Sequence, residues 1–401
     1  MTRLYALKGT IQHYAWGGHH FIPNLLNVKT TKTENFAEYW LGAQTKSPST
    51  LLTETGEQTL DSFIKKNAIE VLGNTVEKKF GRLPFLFKVL DVKDMLSIQV
   101  HPKKSEAEKG FEKENKLGIP LDAPYRNYKD DNHKPEIMVA LSEFWLLHGF
   151  LPKTKLEEVL KNIPELQPLL STFYKAGYYG LYKTVMEAPQ KECNQTLQPL
   201  VDRILPLYKA GRLQKSSPDY WAAKAIATSK DKRNIDKGIY SIYFFNIVNV
   251  NPGEAIFQDA GIPHAYLEGQ NMELMANSDN VLRGGLTQKH VDVQELLKHV
   301  VFEETIPNIK SGDLLEDNPE RIYKSPAPDF ELSQIKLKQS SKYESYAKTA
   351  AILIVVEGEA TITENDCTLS LKKGDAVFLL ANSNYSINSD TTSVIYKATT
   401  P

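Results

Sequence analysis

Gln99 and His101 stand two residues apart in the apolar run SIQVH, and on a strand that spacing turns both side chains to one face. Glu136 closes the segment NHKPE, in which Pro135 holds Lys134 in an extended conformation. His264 follows a glycine and a proline in NPGEAIFQDAGIPHAY. Imidazole and carboxylate are ligands that zinc accepts, and a catalytic zinc site keeps one position open for water or substrate. Taken singly, each residue admits a plainer role. Gln99 and His101 suit a hydrogen-bonded strand pair, Glu136 a surface carboxylate, and His264 a half-buried histidine, so spacing alone leaves the choice open. Two cysteines, Cys193 and Cys367, are too few for a thiolate metal site or a disulfide framework, so any metal must use nitrogen and oxygen donors. Lys88 in FLFKVL is a charge inside an apolar strand, costly unless paired, and is expected to face a polar site. Tyr266 points to the same side of its strand as His264 and is expected to line the same pocket.

Strands are needed to aim these side chains, and the chain supplies them in two stretches. From Leu83 to about Phe150 the texture is apolar and strand-like, with LPFLFKVLDV and MLSIQVH separated by polar turns. From Lys153 the spacing of Leu156, Val159, Leu160, Ile163, Leu166, Leu169 and Leu170 becomes helical, and Leu197, Leu200, Val201, Ile204 and Leu205 repeat it. Strand texture returns at IYSIYFFNIVNVNPGEAIF, QELLKHVVFEE is helical by composition, and AILIVVEGEATI, CTLSLKKGDAVFLL and SVIYKAT close the chain as strands. The expected fold class is mainly β with a helical insertion. The expected division is a catalytic unit of residues 1–150 and 236–315, a helical insertion of 151–235 and a C-terminal β unit of 316–401.

Four hundred and one residues exceed what one hydrophobic core organises, in keeping with several units. No apolar run approaches the roughly 20 residues that cross a bilayer, and the N-terminus lacks a secretory pattern, so a cytoplasmic protein with no membrane partner is expected. A net charge of −1 offers no global basic field for nucleic acid, but leaves room for a local anion site.

Gly253, Gly261 and His264 are spaced as in the second conserved motif of cupin barrels, which they resemble. In KGDAVFLLANSNYSI, Gly374-Asp375 begins the same pattern, but Asn382 and Tyr385 fall where a glycine and a histidine belong. Two cupin-like barrel or jelly-roll units are therefore expected, the C-terminal one structural and without metal ligands.

YKDDNHKPE, from Tyr128 to Glu136, resembles the signature of the type I mannose-6-phosphate isomerases, and the run from His264 through Arg283 to Lys289 is similar to a second signature of that family. YAWG at 14–17, AEYWLGA at 37–43, PS at 48–49 and LPFLFKVL are similar to further family segments, so the resemblance covers both β stretches. It implies one zinc held by Gln99, His101, Glu136 and His264, and interconversion of mannose 6-phosphate with fructose 6-phosphate. Arg283 matches the family's active-site arginine, and Ser97 and Lys289 match its phosphate-binding positions. Gln44, Gly284 and Gln288 depart from the commoner histidine, alanine and proline; none is an implied ligand, and they bear on loop conformation and rate.

Moving a carbonyl between C1 and C2 requires a proton to leave carbon, which neutral pH allows only if the developing enediolate is stabilised. Arg283, always protonated, suits that task and is a poor base. Glu273, Lys134 and a water at the metal are the candidates for carrying the proton, with Glu273 preferred. Trp16 and Trp40 suit core or pocket wall. A sugar-phosphate sensor without turnover is the alternative from another class, disfavoured because Glu136, His264, Glu273 and Arg283 are all present. A cupin oxygenase is disfavoured by the Gln-His-Glu-His set. The expected partner is a small sugar phosphate, and the expected state a monomer or weak homo-oligomer.

Overall fold

The computed structural model describes every residue except 1, 31, 32, 315 and 317. It is mostly sheet with a block of helices. A ten-stranded sheet follows the order Phe245–Val250, Phe144–Phe150, His264–Ala276, Phe85–Val92, Glu38–Gly42 and Thr10–Gln12, with four short strands branching from it. A nine-stranded sheet and a four-stranded sheet hold the C-terminal strands. Among the described residues no sheet closes into a barrel; the site sits on an open, branched sheet.

The strand Phe85–Val92 explains why its sequence reads as an unbroken apolar run: all eight positions are buried. Phe85, Phe87 and Val89 enter a core shared with Leu7, Ile352 and Phe378 of the nine-stranded sheet, while Leu90 and Val92 pack with Met138, Phe144 and Tyr266. Lys88 points to that second side, toward the polar site. The N-terminal strands Leu4–Lys8 and Thr50–Thr53 belong to the nine-stranded sheet, Leu4 pairing with Leu379 and Ala6 with Leu52. Nothing in their composition marks that long-range pairing.

The helical texture is borne out by Lys153–Asn162, Leu170–Glu187, Gln190–Lys209 and Pro218–Thr228. Their apolar faces, through Leu160, Leu181, Leu197 and Trp221, pack on Ile98, Val100, Leu147, Ala265 and Leu282, the alternate positions of the strands that carry the site. The helices thus press on the back of the sheet whose front bears the candidate ligands.

Two sequence expectations are corrected. IYSIYFFNIVNV is not one strand: Gly238–Phe244 is a helix and only Phe245–Val250 is extended. All seven residues of that helix are buried, so no polar face marked its period. The helix Val293–His299 stops at the extended Val300, so VVFEE lies outside it. The short helices Leu60–Lys66, Ala68–Leu72 and Asn74–Phe80 are not legible in the sequence, because each is too short to show a repeating face.

Candidate metal centre and substrate cleft

Strand register sets the site. Arg283 lies opposite Gln99, Gln99 opposite His264, and His264 opposite His148, across four antiparallel strands. Paired residues share a face of the sheet, so these four side chains form one row, and His101 joins it from two residues beyond Gln99. Glu136 opens the strand Glu136–Ala140 beside Met275. His264 is delivered by a turn through Gly261, whose φ of +80° and lack of space for a Cβ, 2.8 Å from the His299 carbonyl, require glycine.

His101, Glu136 and His264 bring their donor atoms within 4.8 Å of one another, all three side chains buried. His101 Nε2 is 3.4 Å from Glu136 Oε1, and His264 Nε2 is 3.3 Å from Glu136 Oε2. The far nitrogens are engaged by backbone: His101 Nδ1 donates to the Asn280 carbonyl at 2.9 Å and His264 Nδ1 to that of Ile262 at 2.9 Å. Those bonds leave both Nε2 atoms with a lone pair, buried and without a hydrogen-bond partner. Two orphaned acceptors facing one carboxylate are costly unless a cation joins them, so the donor set fits a divalent ion. Burial, aided by Lys134, depresses the His101 pKa to about 4, leaving the neutral imidazole that ligates. Burial pushes Glu136 upward, but Lys134, 2.8 Å away, and His101 hold it well below the usual carboxylate range.

Beneath the triad lies a cavity of about 50 Å³ that Gln99, Lys88, Lys134, Tyr266 and Glu273 also line. Lys88 pairs with Glu273 at 3.0 Å and Glu38 at 3.7 Å, and lies 5.3 Å from the centre of the Trp40 ring. Burial would lower its pKa, but the two carboxylates raise it, so it stays an ammonium. Burial raises the pKa of Glu273, with Lys88 opposing. Tyr266 keeps a buried hydroxyl without a hydrogen-bond partner, its acidity suppressed by burial and by Glu273. The cavity shares Lys88, Gln99 and Lys134 with a cleft of about 1220 Å³ in which Ser97, Arg283 and Lys289 stand. Arg283 has no carboxylate partner among the described residues, and burial lowers its pKa. Lys289 is exposed but leans on the cleft, and the partial loss of water there lowers its pKa, with Arg283 adding to it. Trp16 and Trp40 line the wall of the same cleft.

Sequence reasoning missed several residues here. Glu38 shares a strand face with Trp40 and is a buried carboxylate in an apolar strand, a signal of the same kind as Lys88. Asp279, which accepts from Gln44 at 3.0 Å, lines the cleft. Asn280 ties the site's two loops: its Oδ1 accepts from the Lys129 amide at 2.7 Å, its Nδ2 donates to the Asp130 and Asn132 carbonyls at 2.7 and 2.9 Å, and its own carbonyl holds His101. Asp130 answers by accepting from the Asp279 amide and Ser278 hydroxyl at 2.7 and 2.8 Å. The unusual Gly284 has a packing reason, since a Cβ there would meet the Tyr182 hydroxyl at 2.8 Å.

Fold and site together define a mainly β protein with a single-ion centre opening on a cation-lined cleft. Residues 4–153 match the family model described as phosphomannose isomerase type I, catalytic domain, and residues 320–396 that described as mannose-6-phosphate isomerase, cupin domain. A mannose-6-phosphate isomerase of Salmonella typhimurium is 38% identical over 391 residues, 94% of each chain, and that of Homo sapiens is 32% identical over 420, covering 96% of this chain and 95% of its own. The crystal structure of the Salmonella typhimurium enzyme bound to its substrate fructose 6-phosphate and zinc superposes with a TM-score of 0.88 at 33% identity, over 100% of both chains. A zinc-bound holo mannose 6-phosphate isomerase gives 0.87 at 33%, again over 100% of each. The chain belongs to the mannose-6-phosphate isomerase family.

Proposed function

We propose that this protein is a zinc-dependent aldose–ketose isomerase that interconverts mannose 6-phosphate and fructose 6-phosphate through an enediolate. The observation that carries the reading is the buried triad with two unpaired Nε2 atoms beside a cleft holding an unpaired arginine. Gln99, His101, Glu136 and His264 hold the ion. When bound, zinc supplies Lewis-acid charge that eases negative charge on the sugar oxygens. Lys88 and Lys134 face Glu38, Glu136 and Glu273, so the cavity lined by these residues has one more carboxylate than ammonium, and a divalent cation reverses that sign.

Arg283 lies within the cleft and holds the enediolate by charge-assisted hydrogen bonds that strengthen as its oxygens gain charge. Glu273 takes the proton from C2 and returns it to C1; its burial raises its basicity toward the working range. Lys134, engaged with Glu136, tunes that carboxylate. Lys88 holds Glu273, and Tyr266 lines the floor. Ser97 and Lys289 hold the phosphate, the first by a hydroxyl donor and the second by its charge.

The proposed division is the catalytic unit 1–150 and 236–315, the helical insertion 151–235 and the cupin-like unit 316–401. Support for a C-terminal unit without metal comes from Tyr385, which fills the histidine's place as a buried residue in the apolar core there. Two unpaired cysteines are in keeping with a reducing, cytoplasmic setting.

The test is formation of fructose 6-phosphate from mannose 6-phosphate by purified protein, before and after chelation and zinc re-addition, with Gln99→Ala and His264→Ala alongside. Turnover lost on chelation, restored by zinc and crippled in both variants supports the reading. Zinc-loaded protein that binds the sugar phosphate without converting it would be a sensor, and the isomerase reading would fall.

A further inference from the structure

Asp236 stands where the helical segment returns to the catalytic sheet, two residues before the helix Gly238–Phe244. Its Oδ1 accepts from the amides of Gly238 at 2.7 Å and Leu286 at 2.8 Å, and its Oδ2 from that of Thr287 at 3.0 Å. Two of those three donors belong to the loop between Arg283 and Lys289. The loop is held in a conformation it would not adopt freely: Gly285 has φ +118°, and Leu286, a branched residue, has φ +54°. Gly238 and Gly285 pack back to back, since a Cβ on Gly285 would lie 2.6 Å from the Gly238 Cα and one on Gly238 would lie 2.6 Å from the Leu286 nitrogen. The two glycines let the backbones close until one carboxylate spans both.

We infer that Asp236 is a positioning residue for substrate: it fixes the loop so that Lys289 meets the phosphate. Arg283 is anchored independently, because it pairs in register with Gln99 and the neighbouring Gly284 amide bonds the Ile98 carbonyl at 2.9 Å. Lys289, six residues further on and exposed, has no such strand bonds and depends on the loop. The clasp therefore acts on phosphate affinity and leaves the chemical step nearly alone.

The inference rests on the isomerase reading for its choice of substrate, and the experiment separates the two. Zinc-loaded wild type, Asp236→Asn, Asp236→Ala, Lys289→Met and the double variant Asp236→Ala/Lys289→Met are compared for kcat and KM on mannose 6-phosphate, Kd for inorganic phosphate by calorimetry, and zinc per chain. Loss of two charge-assisted bonds to the loop is expected to raise KM and phosphate Kd roughly tenfold in Asp236→Ala, with kcat within about threefold of wild type and zinc content unchanged. Asp236→Asn, which keeps a carboxamide oxygen, falls between. The double variant is no worse than Lys289→Met, because the two substitutions remove one interaction. Additive losses in the double variant overturn the inference, as does an unchanged phosphate Kd in Asp236→Ala. Tighter phosphate binding in Asp236→Ala overturns it too, since the freed amides would then be an anion site that the carboxylate had blocked. If Asp236→Ala does not fold, Asp236→Asn and its double variant with Lys289→Met decide by the same criteria. Wild type that binds phosphate without turnover would sink the isomerase reading and leave the clasp to be judged on phosphate Kd.

Discussion

At the scale of single residues, the centre depends on where protons are absent. His101 and His264 each spend Nδ1 on a backbone carbonyl, and that leaves the Nε2 lone pair as the atom free to ligate. Glu273 is the residue whose role is most directly testable. Glu273→Gln keeps shape and removes basicity, so exchange of the C2 hydrogen of mannose 6-phosphate with deuterated water, read by NMR, is expected to fall at least about 10²-fold while zinc content stays at one per chain. Undiminished exchange would move the proton-carrying role to another group. His101, Glu136 and His264 are legible as donors by type, but type and spacing leave each a plainer role, and only the resemblance to the type I mannose-6-phosphate isomerases joins them with Gln99 as an expected ligand set; Lys88 stands out as a charge in an apolar strand. Glu38 carries the same signal as Lys88. Asp279 and Asn280 were not separable by type, since Ser, Asn and Asp in NSDN read first as turn formers.

At the scale of elements, the register across four strands aligns Arg283, Gln99, His264 and His148, and the loop from Lys129 to Asn132 is sewn to Ser278, Asp279 and Asn280. Asn280→Ala keeps the carbonyl that holds His101 but releases the 129–132 loop. Zinc affinity, measured by competition with a chelator, is expected to weaken by roughly 10–100-fold, the usual cost of losing an outer-shell partner. An unchanged affinity would show that the loops hold themselves. Phe85–Val92 and Gly238–Phe244 are both buried throughout, so periodicity decides neither, and an unbroken apolar run reads as strand correctly in the first and wrongly in the second. A side chain surrounded on all sides gives no pattern to read.

At the scale of the whole molecule, the C-terminal sheets hold a buried ion pair of their own, Glu320 with Lys397, joined by Ser333 and Tyr343. Burial pushes the Glu320 pKa up, but Lys397 and the hydroxyls bring it below its ordinary value. A folded-state pKa below the unfolded one means that the carboxylate stabilises the fold above about pH 4.3, and that this contribution is lost as pH falls through that range to the folded value. Glu320→Gln is therefore expected to flatten the dependence of unfolding free energy on pH below about 5, and to cost roughly 1–3 kcal/mol at pH 7 by leaving the half-buried Lys397 with only the weaker field of Glu331. Denaturant titrations at several pH values check both. The nine-stranded sheet that surrounds this pair also joins the two ends of the chain, because Leu4 pairs with Leu379. During synthesis, that first strand leaves the ribosome long before its partner exists. At about 5–20 residues per second the wait is roughly 20–75 s. Throughout it, the core that Tyr5, Leu7, Phe85 and Phe87 share lacks Ile352, Phe378 and Tyr396. Nascent chains of this protein should thus stay open to chaperones until nearly the last strand is made.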